Sequence, residues 1–238
     1  MPVYPILLII AFLYSTVGHG GGSGYLAVFH LLGVEPYLAS STALILNLMV
    51  SSLAFFNYRR FFKLREIIPF VVFSVPLAYL GGSLHLPGEI IRKITGIVIL
   101  LVGIRMFLKI PTTLGFKSLN PYLRFIISAF VGGGLGFLAG IIGIGGGIFL
   151  SPVLIFFGFD PKTTASLSAF FILINSTSGL VARLGFVDID IKFVILSLIS
   201  VFIGGFAGSY LGSYRFQSNT IKILLGVVLA VAGIKLLL

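Results

Sequence analysis

The chain alternates between long apolar runs and short polar or basic stretches. The runs that contain no Asp, Glu, Lys or Arg cover residues 1–34, 36–58, 67–88, 125–159, 163–182 and 193–214. A helix needs about 20 apolar residues to cross the hydrocarbon core of a bilayer, and several of these runs reach that length. The pattern therefore predicts an all-α polytopic membrane protein with about eight transmembrane segments.

The same pattern divides each half of the chain into five helical pieces. The pieces are 3–17, 22–33, 38–57, 67–84 and 90–108 in the first half, and 122–142, 147–158, 163–183, 191–213 and 219–237 in the second. At 1.5 Å per residue the second piece of each half is too short to cross the hydrocarbon. The first two pieces of a half are therefore either one glycine-broken span or a re-entrant hairpin. A broken span makes the repeats parallel, whereas a hairpin makes them inverted.

An internal repeat relates the two halves. Val17-Gly18-His19-Gly20-Gly21-Gly22 is matched by Ile142-Gly143-Ile144-Gly145-Gly146-Gly147, and Gly33-Val34-Glu35-Pro36 is matched by Gly158-Phe159-Asp160-Pro161. Repeats of this kind are common in secondary transporters. We therefore expect two homologous helical repeats, with a first transmembrane repeat at 1–108, a linker at 109–121 and a second transmembrane repeat at 122–238.

Composition and charge narrow the class of protein. Only 9% of the residues are charged, against about 25% in a soluble domain, so a multi-pass protein of the cell membrane is expected. The net charge of +10 comes from basic residues at helix ends, which favours orientation by the positive-inside rule over nucleic-acid binding. That rule does not choose between the two topologies, and inverted repeats are favoured by analogy with secondary transporters.

Metal and cofactor chemistry has no support in the sequence. The chain contains no cysteine, so thiolate metal sites and disulfides are excluded. His30 and His85 have no acidic or histidine partner at ligand spacing. We expect no metal and no cofactor.

The duplicated glycine runs are the strongest candidates for function. Three consecutive glycines destabilise a helix, and glycine permits sharp turns and close approach of a ligand to the backbone. The helices that follow, beginning near Ser23 and Ile148, would offer unpaired N–H groups and a positive dipole end to an anion. Close helix packing through small residues is the alternative interpretation.

Polar side chains at membrane depth form a second set of candidates. Asn47 lies in the third piece of the first half, and Asn175 and Ser176 lie in the third piece of the second half. Such groups must find partners inside the protein, either a polar substrate or a neighbouring helix. Arg183 ends the otherwise uncharged helix that carries Asn175, where it could hold an anion, but extension of its side chain to the interface is the simpler interpretation.

His19 and Ser23 are four residues apart, as a hydrolase with a Ser–His pair would require. The second half has Ile144 and Ile148 in their places. This difference disfavours a catalytic pair, so His19 is interpreted either as a contact for substrate or proton or as a structural histidine with its hydrogen bonds satisfied. Glu35 precedes a proline, as its counterpart in the second half does, and this pattern indicates turn chemistry.

With these residues in view, the sequence resembles the sulfite exporter TauE/SafE family over nearly its whole length. The motifs that carry the resemblance are Gly18-His19-Gly20-Gly21-Gly22-Ser23-Gly24, Thr42-Ala43-Leu44-Ile45-Leu46-Asn47, Tyr58-Arg59-Arg60, Gly143-Ile144-Gly145-Gly146-Gly147-Ile148-Phe149-Leu150-Ser151-Pro152 and Ala169-Phe170-Phe171-Ile172-Leu173-Ile174-Asn175-Ser176. The resemblance implies a duplicated module in the plasma membrane that transports small sulfur anions.

The expected function is therefore a secondary transporter, not an enzyme, that exports a small sulfur-containing oxyanion such as sulfite or an organosulfonate at the repeat interface. The alternatives are a passive anion channel and, less favoured, an intramembrane hydrolase that uses Ser23 and His19. The expected partners are a small anionic substrate and the lipid bilayer, and glycine pairs at 81–82 and 204–205 would allow a homo-oligomer. The expected substrate-binding residues are His19, Gly20, Gly21, Gly22, Ser23, Asn47, Gly145, Gly146, Gly147, Asn175 and Ser176.

Overall fold

The computed structural model describes residues 3–84, 116–183 and 191–217, together with residues 89, 219, 220, 223, 224 and 227. Every regular element within these residues is helical, which confirms an all-α fold. The main helices are α1 (Val3–Ser15), α2 (Gly22–Leu31), α3 (Pro36–Tyr58), α4 (Leu64–Ser83), α5 (Pro121–Ile142), α6 (Gly147–Phe156), α7 (Pro161–Val181) and α8 (Ile191–Tyr210). Short helical turns follow at Arg59–Phe61, Phe116–Ser118 and Leu211–Arg215.

Within the described residues, five helices are long and apolar enough to cross a membrane. They are α3, α4, α5, α7 and α8, while α1 and α6 are shorter apolar helices. This supports a multi-pass membrane protein. The predicted pieces at 90–108 and 219–237, and most of the predicted linker, lie outside the described residues except for a few positions.

The acidic residues before the two prolines cap the helices that follow. The Asp160 carboxylate accepts hydrogen bonds from the backbone N–H groups of Lys162 and Thr163 at the start of α7, and Glu35 caps α3 in the same way. Partial burial acts to raise the pKa of Asp160, but the hydrogen bonds and the nearby Lys63 outweigh it and hold the pKa below its usual value. Turn chemistry, as the sequence indicated, accounts for both residues.

Glycines in α5 let this helix lie directly on the backbone of α4. The successive contacts are Gly132 with Phe70, Gly136 with Ser74 and Gly140 with Ala78. Because residue numbers rise together along the two helices, α4 and α5 run in the same direction. On the other side of the bundle α1 and α8 are also parallel, with Gly204 on Leu8 and Gly208 on Phe12.

The centre of the bundle is an antiparallel pair formed by α3 and α7. Ser40, near the start of α3, bonds Arg183, just beyond the end of α7, whereas Phe55, near the end of α3, contacts Phe170 in the middle of α7. Each outer helix runs parallel to the central helix that it contacts. The end of α8 is joined to the end of α3 by a hydrogen bond from Asn57 to Ser209, and α4 is joined to α7 by a hydrogen bond from Ser178. It follows that α1, α3 and α8 run one way, and α4, α5 and α7 run the other.

These directions decide how the short helices are used. Because α1 and α3 run the same way, the chain between them must turn back, and α2 lies on that returning segment. The same holds for α6 between α5 and α7. Each half therefore contains a hairpin and not a single broken span. Arg60 and Lys162 both donate to the carbonyl of Ser213, so the 59–65 loop, the start of α7 and the end of α8 lie at one end of the bundle.

The α4–α5 contact offers a test of this packing within one helix. A Cβ on Gly136 would fall under 3.0 Å from the backbone of Ser74, whereas a Cβ on Gly134 would meet nothing within 4 Å. We expect Gly136→Ala to lower the free energy of unfolding by about 1–3 kcal/mol, as overpacking does. Gly134→Ala should be neutral or stabilising by up to about 1 kcal/mol. Thermal unfolding of both variants in detergent measures the difference, and equal midpoints would contradict the packing.

Candidate functional site

Both glycine runs interrupt their helices. The helix α1 ends at Ser15 and α2 begins at Gly22, while α5 ends at Ile142 and α6 begins at Gly147. The backbone adopts the left-handed region at equivalent positions, with φ of +92° at Gly21 and +77° at Gly146. Side chains with a Cβ rarely adopt these angles, so glycine is required for the turn itself.

Asn47 lies against the first break, halfway along α3. A Cβ added to Gly20 would fall under 3.0 Å from its amide oxygen, and one added to Gly22 would fall under 3.0 Å from its amide nitrogen. The two breaks also meet here, since the same Cβ on Gly22 would lie 3.0 Å from the Cα of Ile144. Only glycine leaves room for the Asn47 amide between the two loops.

Ser176 lies against the second break. A Cβ on Gly145 would fall under 3.0 Å from the Ser176 hydroxyl and 3.4 Å from the amide nitrogen of Asn47. Asn47, Ser176 and the glycines at 20, 22 and 145 thus converge at the contact between the breaks. The predicted site residues from both halves meet at this point.

The polar atoms at this point are buried and lack partners. Asn47 and Ser176 are both 0% exposed. Within the described part of the chain, the amide nitrogen and the amide oxygen of Asn47 have no hydrogen-bond partner, and the hydroxyl of Ser176 has none either. A buried polar group left unpaired costs about 1–3 kcal/mol. Such groups point to a ligand that would satisfy them.

The helix starts add a positive potential at the same point. The helices α2 and α6 begin at Gly22 and Gly147, immediately after the breaks. The first N–H groups of a helix have no partner within it, and its N-terminus carries a partial positive charge. Neutral donors and two helix N-termini around one point suit a small anion.

The remaining predicted residues have other contacts. The Asn175 amide donates to the carbonyl of Phe171 on its own helix, so Ser176, and not Asn175, lies at the second break. Gly146 packs on Phe171, Gly147 packs on the side chain of Ile172, and Gly21 lies beneath a tyrosine ring. At each of these three glycines an added Cβ would meet these neighbours before the Asn47 amide.

His19 and Ser23 each bond to a different partner. His19 Nε2 lies 2.6 Å from the hydroxyl of Ser151, which lies 2.7 Å from that of Ser168. Ser23 shares a hydrogen bond with Tyr14 Oη at 2.9 Å. The Ser23–His19 pair that a hydrolase would need is therefore not formed in the structure. Sequence reasoning assigned Ser168 no role beyond that of a polar residue at the start of its helix, and Ser151 entered only within a motif of the family resemblance, because no local pattern places either hydroxyl beside His19.

Arg183 does not extend to the interface, contrary to the simpler interpretation of its position at a helix end. Its side chain is 3% exposed. It donates to the carbonyls of Gly140 and Ile141 at the end of α5 and to the hydroxyl of Ser40 on α3. A cation there interacts favourably with the negative end of the α5 dipole, which is the physical reason for its burial.

Comparison with known proteins points to one family. A family model described as "Sulfite exporter TauE/SafE" matches residues 3–236. "Probable membrane transporter protein y4hK" of Sinorhizobium fredii is 33% identical, over 96% of this chain and 94% of the relative. "Probable membrane transporter protein YunE" of Bacillus subtilis is 25% identical, over 98% of this chain and 97% of the relative. No solved structure matches the chain significantly.

Proposed function

The chain belongs to the sulfite exporter TauE/SafE family, and from this premise we propose that it is a secondary transporter that exports a small sulfur-containing oxyanion, such as sulfite or an organosulfonate. Its relatives are named as membrane transporters, and the described helices suit a multi-pass membrane protein. The nature of the substrate is the proposed part.

The unpartnered amide of Asn47 is the observation that carries the proposal. It lies between the two glycine breaks, beside the start of α2, where an anion would accept hydrogen bonds from the amide nitrogen and from backbone N–H groups. Ser176 would contribute its hydroxyl from the second half. These neutral hydrogen-bond donors can bind the oxygen atoms of an anion directly, and no metal ion is needed to hold it.

We infer further that the two halves are inverted repeats that meet at this site. In the repeat, α1, α3 and α4 of the first half are equivalent to α5, α7 and α8 of the second half. The contact between α1 and α8 is then equivalent to the contact between α5 and α4, and the contact between α3 and α8 is equivalent to the contact between α7 and α4. Equivalent helices also run in opposite directions, as do α3 and α7. A site between inverted repeats suits alternating access, in which one repeat rocks against the other.

Charge supports an orientation for this arrangement. The end of the bundle with the 59–65 loop carries the basic residues Arg59, Arg60, Lys63, Arg65, Arg124, Lys162 and Arg215. By the positive-inside rule this end would be cytoplasmic. Ser40 and Arg183 would then lie toward the outside.

A panel of anions tests the substrate class. Sulfite, sulfate, thiosulfate and methanesulfonate would be compared for protection of the purified protein against thermal unfolding in detergent. A ligand at 100 times its Kd stabilises the folded state by about 2.7 kcal/mol, so a true ligand should raise the midpoint in a concentration-dependent way. Chloride at equal ionic strength is the control. If no sulfur oxyanion protects more than chloride, the proposal is wrong.

Flux into proteoliposomes separates a carrier from a passive channel. For a carrier, uptake of the protective anion should saturate and respond to an imposed pH gradient. Single-channel currents in a planar bilayer would instead identify a pore and overturn the transporter.

A further inference from the structure

Arg183 ties three segments together at one end of the bundle. One terminal nitrogen of its guanidinium lies 2.8 Å from the hydroxyl of Ser40, and the other lies 2.7 Å and 3.0 Å from the carbonyl oxygens of Gly140 and Ile141. The arginine thus holds the end of α5 and the end of α7 against the start of α3. We call this set of contacts, formed by Arg183, Ser40, Gly140 and Ile141, the arginine latch.

The partners of this cation are neutral. Arg124 pairs with Glu66 at the opposite end of the bundle, and no carboxylate of the described residues lies within salt-bridge distance of Arg183. The Arg183 Nε is buried and has no partner among them. The carbonyl oxygens offer the guanidinium only a partial negative charge, whereas an oxyanion offers a full charge and can accept two parallel hydrogen bonds. An oxyanion could therefore replace the carbonyls as the preferred partner.

The latch lies next to the candidate site along the same two helices. Ser40 precedes Asn47 by seven residues on α3, and Ser176 precedes Arg183 by the same interval, so each pair is about two helical turns apart. Gly143 lies beside Arg183, while Gly145, two residues later, lies beside Asn47 and Ser176. An anion that leaves the candidate site toward this end would meet Arg183 next.

The opposite end has an uncharged counterpart. Tyr58 occupies the position of Arg183 in the first half, and its hydroxyl donates to the carbonyl of Thr16, which is the counterpart of Ile141. Both residues therefore hold the end of the third helix of a half to the end of its first helix. A phenol gains far less from an anion than a guanidinium does, so of these two equivalent contacts only the one made by Arg183 responds to an anion.

We propose that Arg183 is an anion-binding residue that opens one mouth of the transporter. A small oxyanion takes the guanidinium from the Gly140 and Ile141 carbonyls, which frees the end of α5 from the start of α3. The equivalent contact between Tyr58 and the Thr16 carbonyl does not change when the anion binds. The inference rests on the proposed function, because it assigns the second contact of the same transported anion and the side on which the anion itself promotes opening.

Because the chain contains no cysteine, one introduced thiol can report on the latch. Ser41 is 1% exposed and follows Ser40, so Ser41→Cys should react slowly with N-ethylmaleimide while the latch is closed. We expect methanesulfonate to speed the reaction about tenfold by shifting the population toward the open latch. Dimethyl sulfone, which has nearly the same shape and no charge, should have no effect.

Substitutions at the two ends assign the response to Arg183. In the Ser41→Cys background, Arg183→Gln should react quickly without anion and should not respond to methanesulfonate. Arg183→Lys, which keeps the charge, should keep a weaker response and guards against a folding defect of the glutamine variant. Tyr58→Phe should leave the response unchanged. An equal response in Arg183→Gln, or an equal effect of dimethyl sulfone, would overturn the latch.

The same samples separate failure of the latch from failure of the proposed function. If methanesulfonate protects the protein from unfolding and is transported, but does not change the labelling rate, the latch alone is wrong. If the anion neither protects nor crosses the membrane, the transport proposal fails and the latch fails with it.

Discussion

Asn47→Leu should reduce anion flux by about 100-fold and should leave the folded protein at least as stable as the parent. A hydrogen bond to a charged partner contributes about 1.5–3 kcal/mol, so loss of the amide donor removes one to two orders of magnitude in binding. The amide also lies beside glycines of both breaks, Gly20 and Gly22 in the first and Gly145 in the second. Loss of the amide therefore weakens binding of the anion at both glycine breaks.

Asn47→Leu is expected to keep or raise the stability of the protein because it removes a polar group that folding buries. Both amide atoms of Asn47 are buried without partners among the described residues, so the parent bears their desolvation cost. Leucine has nearly the same shape and no polar atom. Replacing an unpaired buried polar group by an apolar one of similar shape is neutral or stabilising. Flux in proteoliposomes and the unfolding midpoint, measured on one preparation, check both parts.

Asn175→Leu is the matched control. Asn175 is also buried, and its amide oxygen also lacks a partner among the described residues, but its amide nitrogen donates to the carbonyl of Phe171 on its own helix. We expect flux within about threefold of the parent, since the residue contributes a local hydrogen bond worth about 1 kcal/mol. Equal losses in the two variants would show that polarity in the bundle matters, and not the position of Asn47.

The glycine breaks could be predicted from sequence because their cause is local. Three consecutive glycines weaken any helix, and the left-handed angles at Gly21 and Gly146 follow from the absence of a Cβ. The caps at Glu35 and Asp160 are local in the same sense, since each carboxylate bonds N–H groups two and three residues further on. Pattern and outcome agree where neighbours in sequence decide the structure.

Packing decides the direction in which a side chain points, and the sequence pattern could not tell which of two adjacent polar residues faces the second break. Asn175 and Ser176 are adjacent, yet a helix turns by about 100° per residue, so only one of them can face Gly145. Asparagine is the more conspicuous residue in an apolar run, but serine occupies the place. Choosing between them requires the position of the break relative to α7, which no local pattern contains.

Arg183 shows the same limit for charge. Extension to the interface is the common solution for a basic residue at a helix end. Here the carbonyl end of α5 lies within hydrogen-bond reach and accepts the guanidinium instead. The helix direction that brings that end to Arg183 is a property of the bundle. It follows from the parallel packing of α4 and α5, which the glycine spacing permits but does not specify.

Gly145→Ala should abolish flux. It introduces both left-handed backbone strain and crowding by the new methyl group, and a second glycine separates these two effects. The residue has φ of +71°, and its added Cβ would fall under 3.0 Å from the Ser176 hydroxyl and 2.8 Å from Ile172. Gly33 has φ of +70° and nothing within 4 Å of an added Cβ. Gly33→Ala therefore bears the left-handed strain alone, about 1–2 kcal/mol. We expect it to lower the unfolding midpoint slightly and to leave flux per folded molecule unchanged.

Adding Ser176→Ala to Gly145→Ala distinguishes crowding from loss of a binding group. Removal of the hydroxyl relieves the shortest contact of the new methyl, so part of the lost stability should return, and a double-mutant cycle measures that coupling. Flux should not return, because the double variant lacks the Ser176 hydroxyl and still crowds Ile172 and the break. Recovery of flux together with stability would mean that Gly145 matters only for folding, and the candidate site would then have to be rebuilt around Asn47 and the first break alone.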